Sequence, residues 1–567
     1  MIPALNSLSP IDALYLDYLD ALAASGFRGD IARDDGNRLA LSTDNSIYQI
    51  LPQAVVYPRD RDDVVSLCRL AAAERFHDIV LSPRGGGTGT NGQSLCDGIM
   101  VDLSKYMNRI LEINVEEKWA RVEAGVVKDQ LGAAIAKHGL FFAPELSTSN
   151  RATVGGMINT DASGQGSCAY GKTRDHVLEL STVFLGGELF TSSPINRDEL
   201  RSQSAKDSLV AGAHRLLADI QDAHGKQIEQ TFPKLNRCLT GYDLAHIFTA
   251  NGDFDLNSIL CGSEGTLGFI VEAKLNLLDI PSHSALVNVS YTDFDASLRD
   301  AQALMAAAPT SIETIDSRVL ELARGDNSWH TVAQYFPESE QPIAGVNLVE
   351  YTANSEAELA EKLRGFEAKI ADLPNPTRLN YTIAMSNAEV GKIWTIRKKA
   401  VGLLGNMQSE ARPVPFVEDT CVPPENLADF IAEFRALLDA GNLRYGMFGH
   451  VDAGVLHVRP ALDMKNDAEI ARVREITDKV VALTQKYHGL LWGEHGKGVR
   501  SEYAPEFFGD LYPVLQKVKA LFDPHNQLNP GKICTPSDAH QLYKIDEVPT
   551  RGDNDRLIAT SAWQEYS

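Results

Sequence analysis

The chain has 567 residues, 44% of them hydrophobic and 23% charged, with a formal net charge of -23. That length exceeds one hydrophobic core and predicts three or four folding units of ~150 residues each. The acidity excludes nucleic acid and anionic membrane as main partners, and any bound anion must meet local cations or a metal.

In chain order, Ile11 to Ser25 predicts a lead-in helix with Leu14, Leu16, Tyr18, Leu19 and Leu22 on its apolar face. No Lys or Arg precedes Arg28 and no apolar run nears the ~18 residues of a membrane span, so a cytoplasmic chain without a transmembrane segment is expected. AVVYPRD reads as a strand and DDVVSLCRLAAAERF as a helix opened by aspartates. A strand then empties into PRGGGTGTNG, and a second glycine-rich turn follows in RATVGGMINTDASGQG. Beyond Leu278, strand-like ALVNVSY and GVNLVEY alternate with helices such as SEAELAEKLRGFEAKI, where Ser355 and Glu358 make a capping-box pattern. This predicts an α+β chain: a lead-in over 1–50, a glycine-loop domain over 51–278, an antiparallel sheet covered by helices over 279–505, a return segment over 506–536 and a polar tail over 537–567. The seven cysteines form no C-x-x-C pair, which excludes an iron–sulfur or zinc-finger framework within the chain and fits a reducing compartment.

PRGGGTGTNG places five glycines in ten residues straight after a strand, leaving backbone amides free to approach a phosphate. It matches neither a P-loop nor a G-x-G-x-x-G dinucleotide turn. Alone it reads first as a structural turn; the second loop makes a two-sided grip on a diphosphate the stronger reading. PRGGGTGTNG, PELSTSNRATVGGMINTDASGQG with YGKTRDHV, GSEGTLGFI and FDPHNQLNPGKI together resemble, in order, the signatures of the vanillyl-alcohol-oxidase-type (PCMH-type) FAD enzymes. GHVDAGVLH and GEHG further resemble the D-2-hydroxyacid dehydrogenases, the group acting on D-lactate, glycolate and D-2-hydroxyglutarate. Within it the likeness is greatest to the long bacterial D-2-hydroxyglutarate-oxidising type, in which a cysteine-rich iron–sulfur part follows the FAD part.

The resemblance implies a two-subdomain FAD-binding domain plus a substrate cap. It implies that Arg84, Gly85, Gly86, Gly87, Thr88, Gly89, Thr90 and Asn91 hold the FAD pyrophosphate. Ser147, Thr148, Gly155, Gly156, Asn159, Ser163 and Gly164 would line its other side, and Asn529 would return to touch the flavin. Members that attach FAD covalently use a histidine in the first loop; none lies between Pro83 and Gly92, so noncovalent FAD is expected.

GHVDAGVLHV has a hairpin pattern. With Ala453 and Gly454 as a two-residue loop, His450 would stand opposite His457, with Cβ atoms ~5 Å apart. The hairpin alone leaves a hydrogen-bonded surface pair and a ligand pair equally open. Glu494 in GEHG tips the balance, because two imidazoles and a carboxylate form a set used by Zn, Mn and Fe(II). The resemblance agrees, placing His450, His457 and Glu494 on the metal ligands, with zinc or manganese expected, and His495 on the catalytic base. It also sets Arg397 on a carboxylate-binding arginine, which by charge alone would read as a solvated helix face. One branch of the group has an asparagine where Arg459 stands and a lysine where Val417 stands; this departure leaves equally open that Arg459 grips the substrate's distal carboxylate instead and that a different acid is preferred. The implied reaction is oxidation of D-2-hydroxyglutarate to 2-oxoglutarate, with D-lactate or glycolate oxidation the alternative. Electrons would leave through an iron–sulfur domain, a partner subunit or a quinone. A metallohydrolase would not need the glycine loops, and a non-catalytic flavin subunit would show flavin colour that D-2-hydroxy acids do not bleach.

Overall fold

The computed structural model describes residues 8–372, 375–403 and 411–550. The lead-in helix spans Ala13–Ala24 and buries Tyr15, Tyr18, Leu19 and Leu22, the Tyr18 hydroxyl donating to the Leu67 carbonyl at 2.8 Å. Asp60 caps the helix Arg61–Ala71 by accepting from the amides of Asp62 and Asp63, as its acidic first turn predicts. Strands Ala54–Tyr57, Ile99–Asp102 and Leu81–Arg84 pair in parallel. Their apolar runs fit burial on both faces. A five-stranded antiparallel sheet, centred on Phe269–Asn276, completes this half of the molecule.

The second half is built on an antiparallel sheet in which His283–Tyr291, Gly345–Ala353, Ser311–Asp316, Tyr445–His450 and Val455–Leu462 are successive neighbours. Its alternation is apolar on both sides. Val287, Val349 and Tyr351 enter the core shared with helices Phe294–Met305 and Glu356–Asp372. Leu286, Val346 and Leu348 face Val390, Ile393 and Ile396 of the helix Asn387–Leu403. Two-sided helical cover explains why the predicted strands read as near-continuous hydrophobic runs. At the start of Glu356–Asp372, Ser355 Oγ accepts from the Glu358 amide while the Glu358 carboxylate accepts from the Asn354 amide.

After the helix Tyr512–Phe522 the chain returns to the first half, where Leu81 donates to Gln527 O and Asn529 donates to Leu81 O. The expected tail from 537 needs correction. Ile545 and Val548 are buried in the main core, and Gln49 donates to Pro549 O at 2.9 Å. With Leu542 and Tyr543 also packed against that core, a few apolar residues in a polar stretch seat it, and polarity averaged over the segment conceals them. Residues 551–567 of that expected tail lie outside the described residues. Among the described residues no helix is long and apolar enough to cross a membrane.

Candidate functional site

A cleft opens between the two halves, lined by both glycine segments and by Arg397, Lys398, Phe448, His450, His457, Arg459, Glu494 and His495. Arg84, Gly85, Gly86, Gly87, Thr88, Gly89, Thr90, Ser147, Thr148, Gly155, Gly156, Asn159, Ser163 and Gly164 all line it. The two glycine segments pack on each other. A Cβ on Gly86 would sit 2.1 Å from the Arg151 carbonyl oxygen, and Gly87 has φ of +60°. Side chains there would push apart the two amide-rich walls, so the cradle requires glycine.

Asn91 and Asn529 do not line the cleft. Asn91 is a latch, its Nδ2 donating to Gly496 O at 2.7 Å. The Gln93 amide donates to His495 O, and Glu264 accepts from the amides of Lys497 and Gly498, so the first glycine loop and GEHGKG are tied together. Asn529 is fully buried and used up: it donates to Gln93 O and Glu264 O and accepts from Ser82 and Lys532. Both side chains build the wall behind the cradle.

The histidine hairpin forms, with a different register. His450 pairs with Val455 and Phe448 with His457, because the connection is four residues long, a short helical turn at Val451–Ala453 closed by Gly454 at φ +72°. A loop built on one turn and a left-handed glycine displaces the expected two-residue connection. The slip is two residues, so facing is preserved, and the histidines are diagonal neighbours with ring centroids 5.5 Å apart. The neighbouring strand pairs Glu313 with His450, and His457 is followed two positions later by Arg459. One sheet face thus carries Glu313, Phe448, His450, His457 and Arg459.

Glu494 is the hub. Its Oε1 lies 2.9 Å from His457 Nε2, 3.3 Å from His450 Nε2 and 3.6 Å from His495 Nε2. Its Oε2 is held by the fully buried Arg237, which also donates to Ser167 Oγ and to the Gly164 carbonyl of the cleft wall. Burial opposes ionisation, but Arg237 and His450 hold the Glu494 carboxyl well below the usual carboxylate range. Asp419 accepts from the amides of Glu494 and His495 at 2.8–2.9 Å and so fixes the backbone of the phrase. The His450 Nδ1 is paired with Glu313, and His495 Nδ1 lies 3.0 Å from Glu418.

These groups fit a divalent cation. Burial lowers His457 to about 4, leaving a neutral ring with a free lone pair, and its Nδ1 is buried without a partner. The Glu313–His450 contact is the outer carboxylate–histidine support common at such centres. Asp419, His457, Glu494 and His495 also present ligand atoms within 4.8 Å of one another. Asp419 already accepts three backbone hydrogen bonds, and His450 Nε2 lies 3.3 Å from the same Glu494 oxygen as His457.

Arg397 reaches Glu313 at 2.6 Å, and Arg459 reaches Glu418 at 2.5 Å. Their guanidinium carbons lie 5.3 and 5.7 Å from the Phe448 ring centre. Sequence reasoning missed Arg237, Glu313 and Glu418. The available signal was an acid in an apolar run, as in SIETID and PFVEDTCV, where a charge must be paired or costly. Arg237→Ala should remove the buried counter-charge on Glu494 Oε2 and lower stability by about 3–5 kcal/mol, read as a lower denaturant midpoint. An unchanged midpoint would contradict this pairing.

Residues 52–193 match the FAD binding domain family, and residues 280–533 match the FAD linked oxidases, C-terminal domain family. A D-2-hydroxyglutarate dehydrogenase of Pseudomonas putida is 60% identical over 100% of this chain and 56% of its own length. One from Escherichia coli is 51% identical over 100% of this chain and again 56% of its own length. The chain thus spans just over half the length of these curated relatives. Among solved structures, p-cresol methylhydroxylase with substrate bound superposes with a TM-score of 0.66 at 15% identity, covering 94% of this chain and 99% of that one.

Proposed function

This chain belongs to the FAD-linked oxidases, with their FAD binding domain followed by their C-terminal domain, and on that premise we propose that its cleft oxidises D-2-hydroxyglutarate to 2-oxoglutarate. The observation that carries this reading is a single cleft joining an amide-lined glycine cradle to a His–Glu cluster flanked by two arginines. The names of the relatives supply the acid.

Gly85 to Gly89 and Gly155, Gly156 would hold FAD, which supplies the acceptor for the substrate's Cα hydride. His450, His457 and Glu494 would hold Zn or Mn, which supplies Lewis-acid polarisation of the 2-hydroxyl and disfavours a proton on the neighbouring His495. Arg397 and Arg459 fix the carboxylates of an anionic substrate on an otherwise acidic protein. His495 Nε2, facing Glu494, takes the hydroxyl proton. Against the pull of burial, Asp419 and Glu418 raise His495 to about 9, so both acids stabilise the protonated ring that this step creates. Electrons leave to an iron–sulfur domain, a partner subunit or a quinone, in a cytoplasmic setting.

Turnover with an artificial acceptor should yield 2-oxoglutarate in step with acceptor reduced; absence of that product would refute the assignment. The second reading is D-lactate or glycolate oxidation, in which Arg397 alone would hold the single carboxylate. Higher rate constants for D-lactate or glycolate at equal concentration would select it. Acid precipitation should release all FAD, since no histidine occupies the first loop. Yellow colour left on the polypeptide would contradict noncovalent binding.

A further inference from the structure

We infer that Glu418 is a positioning residue that sets the register between Arg459 and His495, and so makes the protein selective for acids with a second carboxylate. The inference rests on the 2-hydroxy-acid reading above and adds to it a residue outside the expected site.

Glu418 is fully buried and divides its two oxygens between the two groups. Oε1 lies 3.0 Å from His495 Nδ1, and Oε2 lies 2.5 Å from Arg459 Nε. Its backbone oxygen accepts from the buried Arg500 at 2.8 Å, which pins the carboxylate's own position. The next residue, Asp419, holds the main chain of His495. The ring and the backbone of His495 are therefore fixed from adjacent residues. Binding through Nδ1 leaves Nε2 directed towards Glu494, and binding through Nε leaves the terminal nitrogens of Arg459 for another anion.

Burying a carboxylate is costly unless its hydrogen bonds are satisfied, and an apolar residue would fill the same volume without that cost. What the carboxylate adds is a fixed relation between its two partners. Glu313 repeats the arrangement on the other side of Phe448, joining Arg397 to His450. The guanidinium carbons of Arg397 and Arg459 both lie within 6 Å of the Phe448 ring centre, so the two cations stand on a common ring at set positions. A diacid with one carboxylate on each arginine would present its hydroxyl to Nε2 at one register. A monocarboxylic acid gains nothing from the second arginine.

The test uses the full flavin-loaded chain and two substrates, D-2-hydroxyglutarate and D-lactate, in anaerobic flavin reduction. Glu418→Gln keeps the volume and loses the double acceptor; Arg459→Gln, at a partly exposed position, is the second variant. Each should lower the ratio of second-order rate constants, D-2-hydroxyglutarate over D-lactate, by at least about tenfold. The double variant should lower it no further, because partners acting through one contact are not additive. Equilibrium titrations with 2-oxoglutarate and pyruvate, read by the flavin spectrum without turnover, should show the same loss of preference. An unchanged ratio in Glu418→Gln, or losses that multiply in the double variant, would overturn the inference. Should Glu418→Gln fail to fold, Arg459→Gln against Arg459→Lys decides: the ratio falls in the first and is partly regained in the second, and an unchanged ratio in Arg459→Gln overturns it. A wild-type protein whose flavin no 2-hydroxy acid reduces would instead sink the underlying reading.

Discussion

His495→Ala is expected to keep its FAD and to slow flavin reduction by D-2-hydroxyglutarate by about 10³-fold, within the 10²–10⁴ that a positioned base contributes. The cradle should survive because it is made of glycine amides and is tied to residue 495 through the backbone. Gln93 donates to the His495 carbonyl and Asp419 accepts from its amide, and neither contact uses the imidazole. The readouts are the flavin-to-protein ratio and the stopped-flow reduction rate. A rate within tenfold of wild type would remove His495 from proton transfer. Loss of flavin would instead mean that the ring supports the cradle.

Metal removal should have an effect of similar size. Exhaustive chelation is expected to reduce the rate at least about 100-fold while leaving FAD bound, with recovery on adding Zn or Mn. The reasoning is local. Three imidazole nitrogens converge within 3.6 Å of one Glu494 oxygen, and burial keeps His457 neutral. Imidazole nitrogens gathered around one buried carboxylate oxygen offer a donor set for a divalent cation. His450→Ala should block recovery at the same added metal. Full rate in protein shown by elemental analysis to be metal-free would refute the assignment.

The residues that bear on chemistry were legible where they sit in short phrases. GHVDAGVLH and GEHG place His450, His457, Glu494 and His495 within two local segments, and hairpin periodicity alone put the first two on one face. The register was less legible, because a four-residue loop ending in Gly454 and a two-residue loop preserve the same facing and differ only in which residues stand opposite. Glu313, Glu418 and Arg237 were not legible as site residues. Each is a lone charge on a distant segment, brought in by sheet register or by a loop crossing behind the cleft, and no spacing in the sequence encodes that meeting. The structural part of Asn529 was not legible either: its side chain ties Gln93 to Glu264, a meeting of three distant segments. The stretch to 550 was misread because a few apolar side chains, Ile545 and Val548 among them, decide its placement.

The most direct test of the central claim is anaerobic mixing of the FAD-loaded protein with D-2-hydroxyglutarate. The account predicts bleaching of the oxidised flavin band by the D enantiomer, with the L enantiomer at least about 100-fold slower, since one hand alone can meet both arginines and His495 together. A flavin band that stays unchanged with every 2-hydroxy acid supplied, in protein with FAD and metal bound, would contradict it.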